Sequence, residues 1–381
     1  MSETEHPGIY VHVPFCRRKC PYCDFYSITD CTLLDPWLEA LLGEVRMICG
    51  AARPVDTIHI GGGTPSVLDG RRLGRLVEGL CKGFDVAGNA EVAMEVNPGT
   101  VSLARLRKYR QAGVNRLNIG VQAFNDETLR FLGRIHSGRE AAAAIRQAQE
   151  AGFENIGLDL LFAVPGQSKA DWELELETAL GFCPSHLSCY QLTYPPGTRI
   201  AASLAEKAFR PPHDGLCADM FLMAHDMLAS RGYIHYEISN FSRTKALASR
   251  HNLKYWRNGP YFGLGPAAHS FCGGRRWWNV ASVAGYMDAV RAGRSPVSGE
   301  ERLCAEQEMI EALYLGLRCS SGISAEAFAD RFGINLEAQC GEVLKRYGNE
   351  GFLVFSEGVL RLTRKGMLYA DALAAALIER L

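Results

Sequence analysis

Charge of one sign is what this sequence most lacks: 41 Lys and Arg stand against 42 Asp and Glu, a formal net charge of −1. That balance excludes a global basic field for recruiting nucleic acid or acidic lipid. Long apolar runs are missing too, so no transmembrane segment is expected. Met1 to Pro7 is polar and acidic, without the cationic start and apolar core of a secretory signal. A cytoplasmic location is the expectation that follows.

What is present suits an ordinary globular protein. The 381 residues are 47% hydrophobic and 22% charged, enough for one large domain plus a small one, or for two domains. Thirteen cysteines is a generous count. Without a secretion signal they read as reduced thiols, a few of them recruited for metal. Ten are scattered, mostly in apolar segments, and are expected to be small core residues.

Strand and helix patterns are read as alternating over the first three quarters of the chain. Strands are predicted at Ile9 to Phe15, Thr57 to Ile60, Glu91 to Val96, Arg116 to Val121, Ile156 to Phe162 and His186 to Leu192. Helices are predicted at Pro36 to Ile48, Leu73 to Cys81, Leu103 to Ala112, Arg139 to Ala151 and Trp172 to Leu180. About six such β–α repeats predict an α/β fold with a parallel sheet and outer helices. Six are too few to close an eight-stranded barrel, so a partial, open-sided (β/α)6 barrel is expected. Ligands of such folds sit at the carboxyl ends of the strands.

The pattern changes after Pro196. A long helix is predicted from Asp214 to Arg231 and a strand from Ile234 to Phe241. Gly293 to Ser298 reads as a linker, which divides the chain into a core of residues 1–295 and a small unit of residues 300–381. In that unit helices near Ala305–Leu317, Ala325–Phe332 and Leu336–Tyr347 precede a hairpin, Phe352–Phe355 with Val359–Leu362, and a last helix from Arg364. This is a winged-helix-like α+β pattern. Its recognition-helix position carries Glu337, Glu342, Lys345 and Arg346, a mixed face with little to neutralise phosphates, so packing or partner docking is expected there and not nucleic-acid binding.

The sharpest local signal is Cys16-Arg17-Arg18-Lys19-Cys20-Pro21-Tyr22-Cys23, with C-x₃-C-x₂-C spacing directly after a strand. Three thiolates on one loop can hold three irons of a 4Fe–4S cluster and leave the fourth open to another ligand. The alternatives are cysteines that only pack, or a zinc site completed by a residue such as His12. Zinc sites favour paired C-x₂-C halves far apart, and no second half is present. The cationic Arg17-Arg18-Lys19 is expected to lower the thiol pKa values.

Here the chain resembles the radical S-adenosylmethionine (SAM) superfamily, over most of Gly8 to Ser270. Within it, Tyr10-Val11-His12-Val13-Pro14-Phe15-Cys16 is similar to the lead-in of the coproporphyrinogen-dehydrogenase-like branch. The resemblance implies that Cys16, Cys20 and Cys23 ligate the cluster and that SAM chelates the open iron. Reduction of the cluster then cleaves SAM to a deoxyadenosyl radical. Gly61-Gly62-Gly63-Thr64-Pro65 follows a strand and resembles the loop that meets the SAM amino group; glycines let backbone approach a ligand closely. Glu95 resembles the acid that holds the SAM ribose, since a carboxylate accepts from both hydroxyls. Gln122, Arg134 and Asp159 stand at the family's spacing for a further adenosyl-ligand pocket. Taken singly, Arg134 reads as a surface arginine and Asp159 as a core polar residue. Tyr10 joins the SAM set through the lead-in. Tyr22 is placed to pack on adenine or on the cluster, with core packing as the equal alternative.

Two departures separate the chain from the coproporphyrinogen dehydrogenases. Their extra cysteine after the motif is replaced by Asp24-Phe25, and Tyr10 lies too near the start to be preceded by their long arm. Instead His251-Asn252-Leu253-Lys254-Tyr255-Trp256 is similar to the H-N-x-x-Y-W signature of the HemW heme-chaperone branch. Imidazole and phenolate both ligate heme iron, and aromatic faces suit a porphyrin. The resemblance therefore implies heme at His251, Asn252, Tyr255 and Trp256, with Arg250 and Lys254 pairing with propionates. His269 is a competing iron ligand, at a position that in the dehydrogenase branch contacts SAM, and a hydrogen-bonded structural His251 is the plainer alternative. The expected function is to carry heme to an acceptor protein, with cluster and SAM governing transfer or a cluster-dependent dimer. Anaerobic coproporphyrinogen III oxidation and SAM-dependent methyl transfer are the enzymatic alternatives.

Overall fold

The computed structural model describes residues 6–48 and 54–381; the first five residues of the acidic start, and Cys49, lie outside them. Strands β1 (Gly8–Val13), β2 (Val55–Gly62), β3 (Val86–Val96), β4 (Arg116–Gln122), β5 (Asn155–Phe162) and β6 (His186–Gln191) pair neighbour to neighbour, all in parallel. Between them run α1 (Leu34–Ile48), α2 (Gly70–Gly83), α3 (Leu103–Gln111), α4 (Asp126–Phe131), α5 (Gly138–Glu150) and α6 (Lys169–Leu180). This is the expected (β/α)6 order.

The helices begin where side chains can satisfy their first N–H groups. Asp69 and Ser102 cap α2 and α3. Ser137 with Glu140 and Ser168 with Asp171 close reciprocal boxes on α5 and α6. Their apolar faces, such as Trp37, Leu38 and Leu41 of α1, are buried against Ile9, Val11, Ile58 and Ile60 of the sheet in one continuous core.

The second half adds α7 (Arg199–Ala205), α8 (Asp214–Ser230), α9 (Arg250–Trp256) and α10 (Val283–Arg291). It also adds β7 (Ile234–Glu237), β8 (Asn240–Ser242), β9 (Tyr261–Leu264), β10 (His269–Cys272), β11 (Arg275–Asn279) and β12 (Val297–Arg302). Among the described residues these complete a twelve-stranded mixed sheet ordered β12-β11-β10-β9-β1-β2-β3-β4-β5-β6-β8-β7. The sheet thus extends past both edges of the parallel block. On the β1 side, β9 pairs in parallel, Val11 opposite Leu264, and brings residues 250–280 against the start of the chain.

Three expectations need correction here. The single strand over Ile234 to Phe241 is a hairpin, turned where the buried Glu237 carboxylate accepts from the Ser239 N–H and the Asn240 amide. The linker over Gly293 to Ser298 runs into β12, whose Glu300 and Glu301 pair with Arg275 and Arg276 across the ladder; hydropathy cannot reveal an ionic rung. The scattered cysteines are not mostly core: Cys189, Cys217, Cys319 and Cys340 are buried, but Cys81, Cys183, Cys272 and Cys304 are exposed.

The last part of the chain packs around its own apolar cluster, which includes Leu313, Leu336, Cys340, Leu360 and Leu377. It contains α11 (Ala305–Gly316), β13 (Ile323–Ser324), α12 (Ala325–Phe332), α13 (Leu336–Asn349), β14 (Leu353–Ser356) and β15 (Val359–Leu362). The expected final helix is two, α14 (Arg364–Met367) and α15 (Ala370–Ile378). The three strands form a separate sheet, β13-β15-β14. No helix among the described residues is long and apolar enough to cross a membrane.

A buried carboxylate ties α1 to the added strands. Glu44 accepts from Tyr286 Oη at 2.5 Å, from the Gly265 N–H at 2.8 Å and from Asn279 Nδ2 at 2.6 Å. Burial pushes its carboxyl up from 4.5 to about 7, against those three hydrogen bonds. The folded chain therefore holds a proton that the unfolded chain releases at lower pH. Stability contributed by this group is full below about 4.5 and is lost as pH rises through about 7. Glu44→Gln is expected to flatten that fall by on the order of 2–3 kcal/mol. Urea midpoints collected across the interval check it; an unchanged slope refutes it.

Candidate functional site

The cysteine loop leaves the end of β1. Cys16 is buried, and Cys20 and Cys23 are half-buried. Each thiol has its own surroundings. Thr64 Oγ1 donates toward Cys16 Sγ at 3.4 Å, and Arg134 Nη1 reaches Cys20 Sγ at 3.6 Å. The Phe25 main chain serves Cys23. Among the described residues no three His, Cys, Asp or Glu side chains converge on a single ion. Three thiols on one loop, close enough for Cys16 and Cys20 to act on Cys23, suit a four-iron cluster, with the Arg134 and Thr64 donors offsetting thiolate charge. His12, the candidate fourth zinc ligand, is occupied elsewhere: its Nε2–H donates to Tyr26 O at 2.9 Å and its Nδ1 accepts from Tyr10 Oη at 2.9 Å.

The intervening cations pin the loop. Arg17 donates to Gly99 O and Lys19 to Phe25 O. At Cys23, burial outweighs Lys19 and pushes the thiol up, so the expected lowering by the cationic run fails there.

The glycine loop closes over the same place. The Gly63 N–H donates to Val13 O at 2.9 Å and the Thr64 N–H to Phe15 O at 2.8 Å. A Cβ on Gly63 would meet Phe15 O at 2.8 Å, so only glycine lets the two loops touch. Gly62 adopts φ +107° with His12 directly against it. From β3, Glu95 meets His59 Nε2 at 3.1 Å. The ladder between β4 and β5 breaks after Ile119, and Gln122 takes φ +67°, a conformation that costs a non-glycine residue about 1–3 kcal/mol. Arg134 donates to Gly120 O at 2.8 Å and to Tyr22 Oη at 3.4 Å, and its Nε is buried without a partner. Asp159 lies opposite Ser188 in the ladder, and burial raises its carboxyl to about 6.

The structure therefore brings Gly62, Gly63, Thr64, Glu95 and Gln122 to the carboxyl ends of the parallel strands and Arg134 beside the cysteine loop, while Asp159 lies within β5. The residues fit the 4Fe–4S cluster and SAM that the motif implies. Cys16, Cys20 and Cys23 would hold three irons, and the glycine loop and Glu95 would face SAM. Tyr22 packs beside Leu132, Leu161 and Leu192, and its Oη accepts from the Arg134 guanidinium that also reaches Cys20.

A cavity of about 510 Å³ opens beside the loop. Tyr10, Asp24, Phe25 and Glu95 line one side, and Asn252, Tyr255, Tyr261 and His269 contribute to the rest. The H-N-x-x-Y-W segment, read as a set of heme contacts, is helix α9 and divides. Asn252 and Tyr255 reach the cavity. His251 is fully buried beneath it, with Nδ1 bonded to Thr57 Oγ1 and Nε2 to Tyr255 Oη, each at 2.9 Å. Its ring stacks on His59 at 5.2 Å. With both nitrogens engaged, His251 has no lone pair free for iron in this arrangement. Trp256 lies away from the cavity, under the guanidinium of Arg318 at 5.2 Å. Arg250 and Lys254, read as propionate partners, both pair with Asp56, at 3.2 and 2.8 Å.

Sequence reading missed the inward polar column of His12, His59 and Thr57. The signal was there: Tyr10 and His12, and Thr57 and His59, are two apart on strands, so each pair shares a face.

Comparison with known proteins agrees with this geometry. Residues 10–179 match the model of the radical SAM superfamily, and residues 303–369 match the HemN C-terminal domain. The heme chaperone HemW of Bacillus subtilis is 35% identical over 377 residues, spanning 98% of this chain and 99% of that protein. HemW of Escherichia coli is 40% identical over 269 residues, 69% of each chain. Among solved structures, coproporphyrinogen III oxidase (HemN) from Escherichia coli superposes with a TM-score of 0.85 at 24% identity, covering 99% of this chain and 91% of that one, a likeness of fold. The chain belongs to the HemW family, within the radical SAM superfamily.

Proposed function

We propose that this protein is a cytoplasmic heme chaperone that takes up heme next to the SAM held beside its cysteine loop and passes it to an acceptor protein. The observation that carries this reading is the shared wall: Asp24 and Phe25 of the loop, and Glu95 of the SAM set, face the same cavity as Asn252 and Tyr255. Its volume of about 510 Å³ lies in the usual range for cofactor sites. The full-length relatives named as heme chaperones support it.

When bound, a reduced cluster of this type supplies one electron to SAM. The protein's part is positional. Arg134 and Thr64 hold the Cys20 and Cys16 thiols, Gly63 keeps the two loops in contact, and Tyr10 with His12 fixes the floor of the cavity. Phe25, 60% exposed, offers an apolar face at the lip. That proximity supports heme exchange governed by the loop. The likeness to coproporphyrinogen III oxidase is one of fold, and Asp24-Phe25 stands where that branch carries its additional cysteine, which favours the chaperone reading over its chemistry.

Anaerobically reconstituted protein is expected to develop a saturable Soret band on heme titration and to give heme up to an apo-hemoprotein. Absence of heme uptake with the cluster intact rejects the proposal. Formation of protoporphyrinogen from coproporphyrinogen, SAM and reductant would reinstate the enzymatic alternative.

A further inference from the structure

We infer that the C-terminal unit sets the wall of the SAM cavity, with Trp256 and Arg318 as positioning residues. The inference goes beyond the chaperone reading and holds whatever cargo the cavity serves.

Trp256 is the signature residue that lies away from the cavity. It closes α9, a helix of only seven residues. Two turns are too few to persist by propensity, so the helix takes its place from what packs on it. The barrel holds one face of it, through Glu91 on the His251 N–H and Asp56 on Arg250 and Lys254. Another face presents Asn252 and Tyr255, three apart, to the cavity that Gly62 and Glu95 also line.

The two ends of α9 are held from the C-terminal unit. At the start, Ser249 caps the helix by accepting from the Asn252 N–H, and its own N–H donates to Tyr236 Oη at 3.3 Å. Tyr236 is in turn gripped by the main chain: its carbonyl accepts from the Ser320 N–H at 3.0 Å. Cys319 bridges antiparallel to Glu237, and the Ile238 N–H donates to Arg318 O at 3.1 Å. Residues 318–320 thus add a short rung to β7. At the other end, the Arg318 guanidinium lies 5.2 Å over the Trp256 ring, steered by Asp371, whose Oδ1 accepts from Nη1 at 3.0 Å. Trp256 Nε1 and Arg318 Nε are buried with no hydrogen-bond partner among the described residues, so the ring face is what joins the two side chains.

One tripeptide, Arg318-Cys319-Ser320, therefore reaches both ends of the helix that carries Asn252 and Tyr255. It is flanked by Leu317 and Ile323, both in the apolar cluster of the C-terminal unit, so it moves with that unit. Docking of the unit and filling of the cavity are then linked, and linkage acts in both directions.

The test uses the full chain with its cluster reconstituted anaerobically. SAM affinity is read from the change SAM makes in the EPR spectrum of the reduced cluster, and hydrogen exchange is followed over residues 317–320. Trp256→Ala and Arg318→Gln are each expected to weaken SAM binding about ten-fold, the size of one desolvated cation–π contact. Trp256→Phe keeps a ring under the guanidinium and is expected to stay within about two-fold of wild type. Arg364→Gln removes the ion pair with Asp226, a link between the two units through α14 and α8, and is expected to leave SAM affinity unchanged. SAM is expected to slow exchange at 317–320 in wild type and not in Trp256→Ala, a readout that a merely structural contact would not move. Retained iron–sulfur absorbance shows that a variant is folded, and Arg318→Gln carries the test if Trp256→Ala loses it. Wild-type SAM affinity in the folded variants, or an equal loss in Arg364→Gln, overturns the inference.

Discussion

Cys20→Ser is expected to yield a folded chain that cannot retain its iron–sulfur chromophore. Cys20 is half-buried on a loop whose shape is set by other contacts: Arg17 on Gly99, Lys19 on Phe25, and Arg199 on the Lys19 carbonyl at 2.5 Å. Losing one thiol outside the core should change stability by no more than about 0.5 kcal/mol. For the cluster, the loss is a whole iron ligand. Cys31 lies close enough to Cys16 to feel its charge, whereas Cys20 is the thiol that Arg134 reaches. Iron and sulfide per chain should fall essentially to zero after anaerobic reconstitution, with SAM affinity lost alongside. A variant that keeps its full iron and sulfide content would contradict the ligand assignment.

The second large effect is on stability. Arg116 is fully buried in β4, where its Nη1 lies 3.4 Å from the Glu91 carboxylate and donates to Leu247 O at 2.9 Å. The other Glu91 oxygen accepts from the His251 N–H at 3.2 Å, at the start of α9. Arg116→Leu strands a buried carboxylate under the helix that carries Asn252 and Tyr255. The expected cost is about 3–5 kcal/mol, which is what breaking one side of a buried pair takes. Removing both charges, in Arg116→Leu with Glu91→Leu, should recover much of that loss, because the desolvation of each ion is then relieved. Urea unfolding of both variants decides the matter. If the double variant is as unstable as the single one, the pair is not the cause.

The parallel block was legible because its strands and helices obey two clean periods and its helices from α2 to α6 begin at capping side chains. The cysteine loop and the glycine loop were legible because their chemistry is local. What escaped had non-local causes. β9 to β12 are short, glycine-bearing or ionic, and become strands only because β1 offers a free edge and Arg275 and Arg276 meet Glu300 and Glu301. The segment from His251 to Trp256 read as a row of ligands, yet as a helix it sends His251 and Tyr255, four apart, to one face and Trp256 to another. Helical spacing in six residues was the available clue. That His251 would be sealed by Thr57, almost two hundred positions earlier, was not written in any local pattern.

The pairing of β1 with β9 has a consequence for how the protein is made. During synthesis the cysteine loop leaves the ribosome ~250 residues ahead of the strand that flanks it. At roughly 5–20 residues per second, that interval lasts on the order of 10–50 s. For that time the three thiols are on a nascent chain that has its glycine loop but lacks the far wall of the cavity. Metallation machinery therefore has open access to the loop before the cavity beside it is complete.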